Sequence, residues 1–519
     1  MFSIKMKGLL GLVLLFIVQS SSAKEYNVVD YGAVNGKLST VAIQKAIDAA
    51  FEAGGGTVLV PAGTYIIGAI ILKSRINLYL EQGSELRSST NLEDFLIGTR
   101  RYGMIYCEDA IQVSITGKGV INGMGSEFYV ADSSHVNSSL LNGAPEYYPA
   151  LTRQKDQYMK ESKFFSDGPI KRKPRPGMAI VFFHCNQVTI RDITIKDTPI
   201  WATRFGYCED VIISGISIKN NLMIPNSDGI HITVSRNVRI SDCDIVAGDD
   251  AIIVTGFAKI ENTPGFTSAE QDKYKNGNKS IYAENIQVTN CHLQSRSSAI
   301  RIGYGQHPIR RCSFTNIIIS ESNRGIGIFA HDSSSIEELI FSDIIIETRL
   351  HNGAWWGRGE PIHLSSISRF KGAPAGKIKN VQFNNITAIG GQGIILYALK
   401  ENPMENIEFR NVNLLLKNGK ETMNYGGNFD LRPTQSPETQ LFAHDIPGLY
   451  AQHIDNLSIK DFEIQWGKGL PAFFTNGIEC KDVTNLLIEG FTGTGNPLSP
   501  KSKSILLENS YLKASYKHG

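Results

Sequence analysis

The sequence predicts an all-β chain folded as a right-handed, single-stranded parallel β-helix, with an N-terminal capping helix. Three observations predict it. From residue 184 one pattern returns about ten times: a polar or Cys residue, then Asn or Asp, then two short apolar stretches parted by a polar turn. Within each copy the apolar residues alternate, as a strand requires, and they are mostly Ile and Val. Glycine is abundant, 49 of 519 residues, where about 7% is usual, so turns are frequent.

The clearest copies are Cys185–Ile195, Cys208–Ile218, Arg236–Ile245 and Glu284–Leu293. Weaker ones begin near Ile309, Ile336, Ile378, Met404, Ile454 and Val483. A repeat of this length signals a solenoid. One copy cannot bury its apolar face alone, so copies must stack. Length alone suggests about three domains at roughly 150 residues each. No linker divides the chain, so residues 24–519 are expected to form one β-helix domain of about ten coils. Residues 130–176, polar and aromatic and ending in Lys171-Arg-Lys-Pro-Arg-Pro176, read as a long inserted loop.

The start reads as a cap. In Val41–Phe51, Ile43, Ile47, Ala50 and Phe51 share one helix face, and Gly54-Gly-Gly56 stop the helix. The strand Thr57–Val60 follows. A helix over the open end hides a sheet edge that could otherwise pair with another chain. Before it, a basic start, an apolar run from Leu9 to Val18 and Ser-Ser-Ser-Ala23 form the pattern of an export signal. The run is too short to span a membrane, which takes roughly 20 residues. Residues 1–23 are therefore expected to be a signal peptide, with cleavage after Ala23 and a secreted or periplasmic product.

Charge excludes little but tilts the field. The 52 basic and 50 acidic side chains leave a net charge of +2, without the basic excess of a nucleic-acid binder. The seven cysteines are odd in number and carry no CxxC spacing, and five sit at similar places in the repeat. They read as small buried residues rather than as bridges. No cofactor or metal is expected, and a monomer is.

Two adjacent repeats interrupt their apolar pattern with acid: Pro225-Asn226-Ser-Asp228-Gly-Ile230 and Ala247-Gly-Asp249-Asp250-Ala-Ile-Ile253. Asp228 and Asp249 are 21 residues apart, about one coil, so the three carboxylates should converge. Coils lie about 4.8 Å apart, close enough for carboxylates to disfavour one another's ionisation. Taken singly, each Asp suits a turn; the repetition at coil spacing argues for chemistry. A protonated acid beside ionised ones is what glycoside hydrolysis needs.

These two motifs resemble those of the family 28 glycoside hydrolases, the polygalacturonase group. Thr198-Pro-Ile-Trp201 and Cys208-Glu-Asp-Val211 resemble that family's approach to its first motif. Tyr26–Gly32 through Pro61–Tyr65 is similar to the N-terminal segment of the wider pectinase-type β-helix group. The resemblance implies an inverting hydrolase. Asp249 would be the general acid, Asp228 and Asp250 would hold and deprotonate the attacking water, and Asn226 would orient the cluster.

The next coils depart from the family. Ser298 stands where the resemblance implies His. Gly327 and Phe329 stand where it implies the Arg and Lys that bind a substrate carboxylate. An Arg fork recognises a planar carboxylate; Gly and Phe cannot. Arg301, Arg324 and His331 are the basic residues nearby, with Arg301 favoured for substrate contact. The loop Arg349–His363 adds Trp355 and Trp356, a platform for a sugar face, and Glu360 and His363, expected in the column of the acids. The expected function is hydrolysis of a pectin-like or other acidic polysaccharide. A polysaccharide lyase and a glycan-binding protein on the same fold are the alternatives.

Overall fold

The computed structural model describes residues 24–131, 152–157, 170–257, 281–351, 356–369, 372–434 and 440–513. The expected signal, residues 1–23, most of the insertion at 130–176, and Trp355 lie outside the described residues. Among the described residues no helix is long and apolar enough to cross a membrane.

The repeat folds as a right-handed parallel β-helix because each copy pairs, in parallel and in register, with the copies before and after it. Asn186–Arg191 lies between Ile111–Gly117 and Glu209–Ser214. The register carries one apolar position through nine coils: Val188, Val211, Val238, Ile286, Cys312, Leu339, Val381, Ile407 and Leu457. All are buried. Burying an aliphatic side chain of this size gains about 1.5–3 kcal/mol, so stacking supplies what one coil lacks. Two residues further on, Phe314, Phe341, Phe383 and Phe409 stack ring on ring with centroids 5.0, 5.0 and 4.8 Å apart.

The Asn or Asp that opens most copies has its own cause. Asp210, Asn237, Asn285, Asn380 and Asn406 all adopt positive φ, between 55° and 57°, turning the chain into the strand. Asn and Asp tolerate this conformation best among residues with a Cβ. Their side chains hydrogen-bond between coils: Asn237 donates to Asp210 at 3.0 Å, Asn285 to Asn237 at 3.1 Å, and Asn406 to Asn380 at 2.9 Å.

The cap is the helix α1, Thr40–Glu52, which buries Ala42, Ile43, Ala46, Ile47 and Ala50 against the first coil. Gly54, at φ 97°, ends it. Phe51 departs from expectation. It is 37% exposed rather than packed, and the Lys73 ammonium lies 5.1 Å from its ring. The seven cysteines are free and buried. Cys107 and Cys185, in neighbouring coils, bring their sulfurs to 3.8 Å without bonding.

The flanks of the insertion, Tyr129–Ala131 and Ile170–Arg172, pair antiparallel. A middle piece docks much further along the solenoid. The Arg153 backbone N–H donates to Asn428 Oδ1 at 2.6 Å, and its guanidinium pairs with Asp445 at 2.7 Å. The described residues of the insertion thus lie at the coil of Tyr129 and beside Asn428.

Candidate active site

Five strands in successive coils build the site: Ile230–Thr233, Ile252–Gly256, Ser298–Gly305, Arg324–Phe329 and Ile362–Ser366. Ile230, Ile252, Ile300, Ile326 and Ile362 lie side by side. Two positions earlier the same register stacks Asp228, Asp250, Ser298, Arg324 and Glu360. One position later it stacks His231, Ile253, Arg301, Gly327 and His363. Two expectations are corrected by this counting. The residue stacked on Asp228 is Asp250, with Asp249 one step before it. Glu360 precedes the registered isoleucine by two positions, as the acids do, whereas His363 follows it by one, in the column of Arg301; the two columns touch, Arg301 on Asp250 and His363 on Glu360.

The three carboxyls form one cluster in two settings. Asp228 and Asp250 are buried, while Asp249 is only half-buried. Asp249 Oδ2 accepts from the Asn226 backbone N–H at 3.2 Å and from its Nδ2 at 3.4 Å. Asp249 Oδ1 accepts from the Asp250 N–H at 3.0 Å. Asn226 itself stands at φ 58°. Burial, then the negative charge of Asp250, pushes the Asp249 carboxyl up to about 7. Burial, then its two acidic neighbours, pushes Asp228 well above the ordinary carboxylate range.

Asp250 is held differently. The Ser298 N–H donates to its Oδ1 at 2.9 Å, and Arg301 Nε donates to its Oδ2. Ser298 thus serves through its backbone. Its hydroxyl accepts from Arg324 Nη1 at 3.5 Å. Arg301 is buried, with its guanidinium 4.7 Å from the Tyr304 ring. It is committed to Asp250 through Nε, while its Nη1 has no hydrogen-bond partner.

Arg324, Glu360 and His363 form a buried cluster below this floor. Arg324 Nε donates to Glu360 Oε1 at 2.7 Å, and His363 Nδ1 lies 3.0 Å from the same oxygen. Arg324 and the His363 contact together hold the Glu360 carboxyl below its usual range despite burial. Beside it, Asp430 takes two hydrogen bonds from Arg432, at 2.7 and 2.8 Å, and one from the Gly357 N–H at 2.7 Å. Arg324 and Glu360 are thus tied to each other inside the wall. His331 is likewise buried, bonded to Pro433 O at 2.9 Å and Ser365 Oγ at 2.6 Å. Phe329 fills the space above Gly327, where a Cβ would stand 2.6 Å from its ring. Trp356 is half-buried, and its carbonyl accepts from Asn323 Nδ2 at 2.8 Å.

Sequence reasoning missed His231. It lies wholly buried under Trp201, rings 3.8 Å apart, with Nδ1 3.9 Å from Asp228 Oδ2. The signal was available: His231 and Arg301 each follow the registered isoleucine by one position. Arg204 occupies the same column one coil earlier, and burial pulls its guanidinium down to about 9.

Known proteins resemble this chain in sequence and in fold. Residues 159–333 match the model of glycosyl hydrolases family 28, and residues 26–93 match rhamnogalacturonase A/epimerase, pectate lyase-like. The first match contains both acidic motifs. A polygalacturonase of Persea americana is 22% identical over 417 residues, 78% of this chain and 77% of that one. A probable polygalacturonase of Vitis vinifera is 25% identical over 268 residues, so that the match spans about half of each chain, 48%. The exopolygalacturonase of Thermotoga maritima shares the fold, with a TM-score of 0.56 and 21% identity over 76% of this chain and 87% of that one.

Proposed function

We propose, from the match of residues 159–333 to glycosyl hydrolases family 28, that this chain hydrolyses glycosidic bonds in a pectin-like or other acidic polysaccharide outside the cytoplasm. The observation that carries the proposal is the acid cluster. Two buried carboxyls and one half-buried carboxyl converge from adjacent coils, and the half-buried one is raised to about 7.

Asp249 is the general acid. It is the member of the three that reaches the surface, and its raised value keeps a proton available for the leaving oxygen. Asp250, paired with Arg301, takes the proton of the attacking water, and Asp228 holds that water with it. Acid and base are then separate groups acting on opposite faces of the sugar, which inverts the anomeric centre. The surrounding charge favours an acidic sugar. Arg301, buried and bonded to Asp250, and Arg175, largely buried and facing Asp228, lie beside the acids.

The test is a screen of defined polysaccharides, uronate-bearing and neutral, reading new reducing ends and product size. Reducing ends from a uronate-bearing substrate are the expected result. Binding without cleavage, or an unsaturated product absorbing in the ultraviolet, would overturn the proposal.

A pH dependence follows. A carboxyl with a raised value keeps its proton up to that value and loses it above. Activity that needs protonated Asp249 is therefore full on the acidic side and lost as pH rises through about 7. On the active substrate, kcat/KM should fall roughly tenfold per pH unit above that point. A profile flat to pH 9 would remove Asp249 as the acid.

A further inference from the structure

Asp228 Oδ1 and His231 Nδ1 are both buried, and neither has a hydrogen-bond partner. Buried polar atoms are nearly always paired, so two orphans within one strand turn call for a reason. Asp228 Oδ2 lies 3.9 Å from His231 Nδ1, beyond a hydrogen bond but within reach of a small side-chain rotation.

The far side of the ring fixes its proton. His231 Nε2 lies 3.2 Å from Thr255 Oγ1, and the Thr255 hydroxyl donates to Thr233 Oγ1 at 3.3 Å. With Thr255 donating to Thr233, its oxygen accepts from His231, the arrangement in which the ring proton sits on Nε2. Nδ1 is left bare, facing Asp228. The stack on Trp201, rings 3.8 Å apart and 29° from parallel, holds the ring in this plane. A bare nitrogen and an ionised carboxylate would present lone pairs to one another; a bare nitrogen and a carboxyl hydroxyl form a hydrogen bond.

We infer that His231 is a positioning residue for the hydrolytic reaction: its bare Nδ1 accepts the carboxyl proton of Asp228 in a hydrogen bond and fixes the other oxygen of Asp228 toward the attacking water. The electrostatics agree. Burial, then Arg301 and Arg204, keep His231 neutral far below its usual range. Asp228 faces Asp249, Asp250, Arg301 and Arg175, and burial with the two acids outweighs the cations in favour of its proton. The kinetic consequence rests on the hydrolase reading; the position of the proton does not.

The experiment therefore has two arms. In His231→Phe the ring and its stack on Trp201 remain and the acceptor is lost. Asp228 then ionises more readily, and its charge raises Asp249. The expected result is a kcat lowered roughly tenfold with KM nearly unchanged, and the basic limb of the pH profile moved upward. His231→Asn places an acceptor near the Nδ1 position and should restore most of the rate and the parent limb. Parent kcat and parent profile in His231→Phe would overturn the inference. The second arm needs no activity: nitrogen-15 spectra of the full chain labelled at histidine. One histidine should carry its proton on Nε2 and stay neutral from pH 5 to 8, with its Nδ1 signal moved by Asp228→Asn. A proton on Nδ1, or titration in that range, would overturn the inference even if every variant misfolds. Failure of Asp249→Asn to reduce activity would remove the hydrolase reading and leave this arm standing.

Discussion

Asp249→Asn should lower kcat by about 10²- to 10⁴-fold, the usual contribution of a positioned general acid, while the fold is kept. Asn preserves the shape of the side chain, and its one amide oxygen can still accept from the Asn226 or the Asp250 N–H group. It cannot give a proton to the leaving oxygen. The same substitution should raise the thermal midpoint. Asp249 titrates near 7 in the folded chain, above the ordinary carboxyl value of 3.8. Its ionised form therefore costs folding free energy increasingly as pH rises between those values, and fully above them. Asn removes that cost, so the gain in midpoint should be larger at pH 8 than at pH 5. Loss of activity with gain of stability separates a catalytic carboxyl from a structural one; a turn-forming Asp would show neither.

Glu360→Gln carries the largest expected effect on stability, about 3–5 kcal/mol of destabilisation, as for any buried ion pair stripped of one charge. Arg324 and Glu360 are both wholly buried, and Arg324 Nε and Nη2 each lie 2.7 Å from the same oxygen. Removing the carboxylate leaves a guanidinium in the core wall whose remaining hydrogen-bond partners are neutral oxygens, Ser298 Oγ and the Asp430 carbonyl, each at 3.5 Å, with the Asp430 carboxylate as the anion left in its neighbourhood. The double variant Arg324→Met, Glu360→Gln should recover part of the loss, because it removes the uncompensated charge. Denaturation midpoints of the four proteins of this cycle provide the check. A loss below 1 kcal/mol in the single variant would mean that Arg324 reaches water or another anion.

The repeat was legible because its cause is local and iterated. Each Asn or Asp turn and each alternating stretch states the same geometry, and stacking makes the period visible, as the column from Val188 to Leu457 illustrates. The acids were legible for the opposite reason: Asp228, Asp249 and Asp250 interrupt that pattern. What was hidden is direction. Register along a strand is not printed in the residue types, so His363, counted in the column of the acids, sits in the neighbouring column of Arg301 and touches the acids' column at Glu360. Asp430 was invisible because a long gap in sequence brings it beside Gly357 and Arg358. Arg301 read as a substrate contact, and its main partner is Asp250. An isolated Arg in a strand does not announce whether its carboxylate will come from the chain or from a ligand. The net charge of +2 likewise concealed Arg301 and Arg175 beside the three acids.

The central claim is that this acid cluster hydrolyses a glycosidic bond with separate acid and base. Proton NMR of the first turnover on the substrate found in the screen tests it directly, because the anomeric signals of the new reducing ends appear before mutarotation mixes them. The account predicts ends of the anomeric configuration opposite to that of the bond cut. Ends of the same configuration, or vinylic signals of an eliminated product, would contradict it.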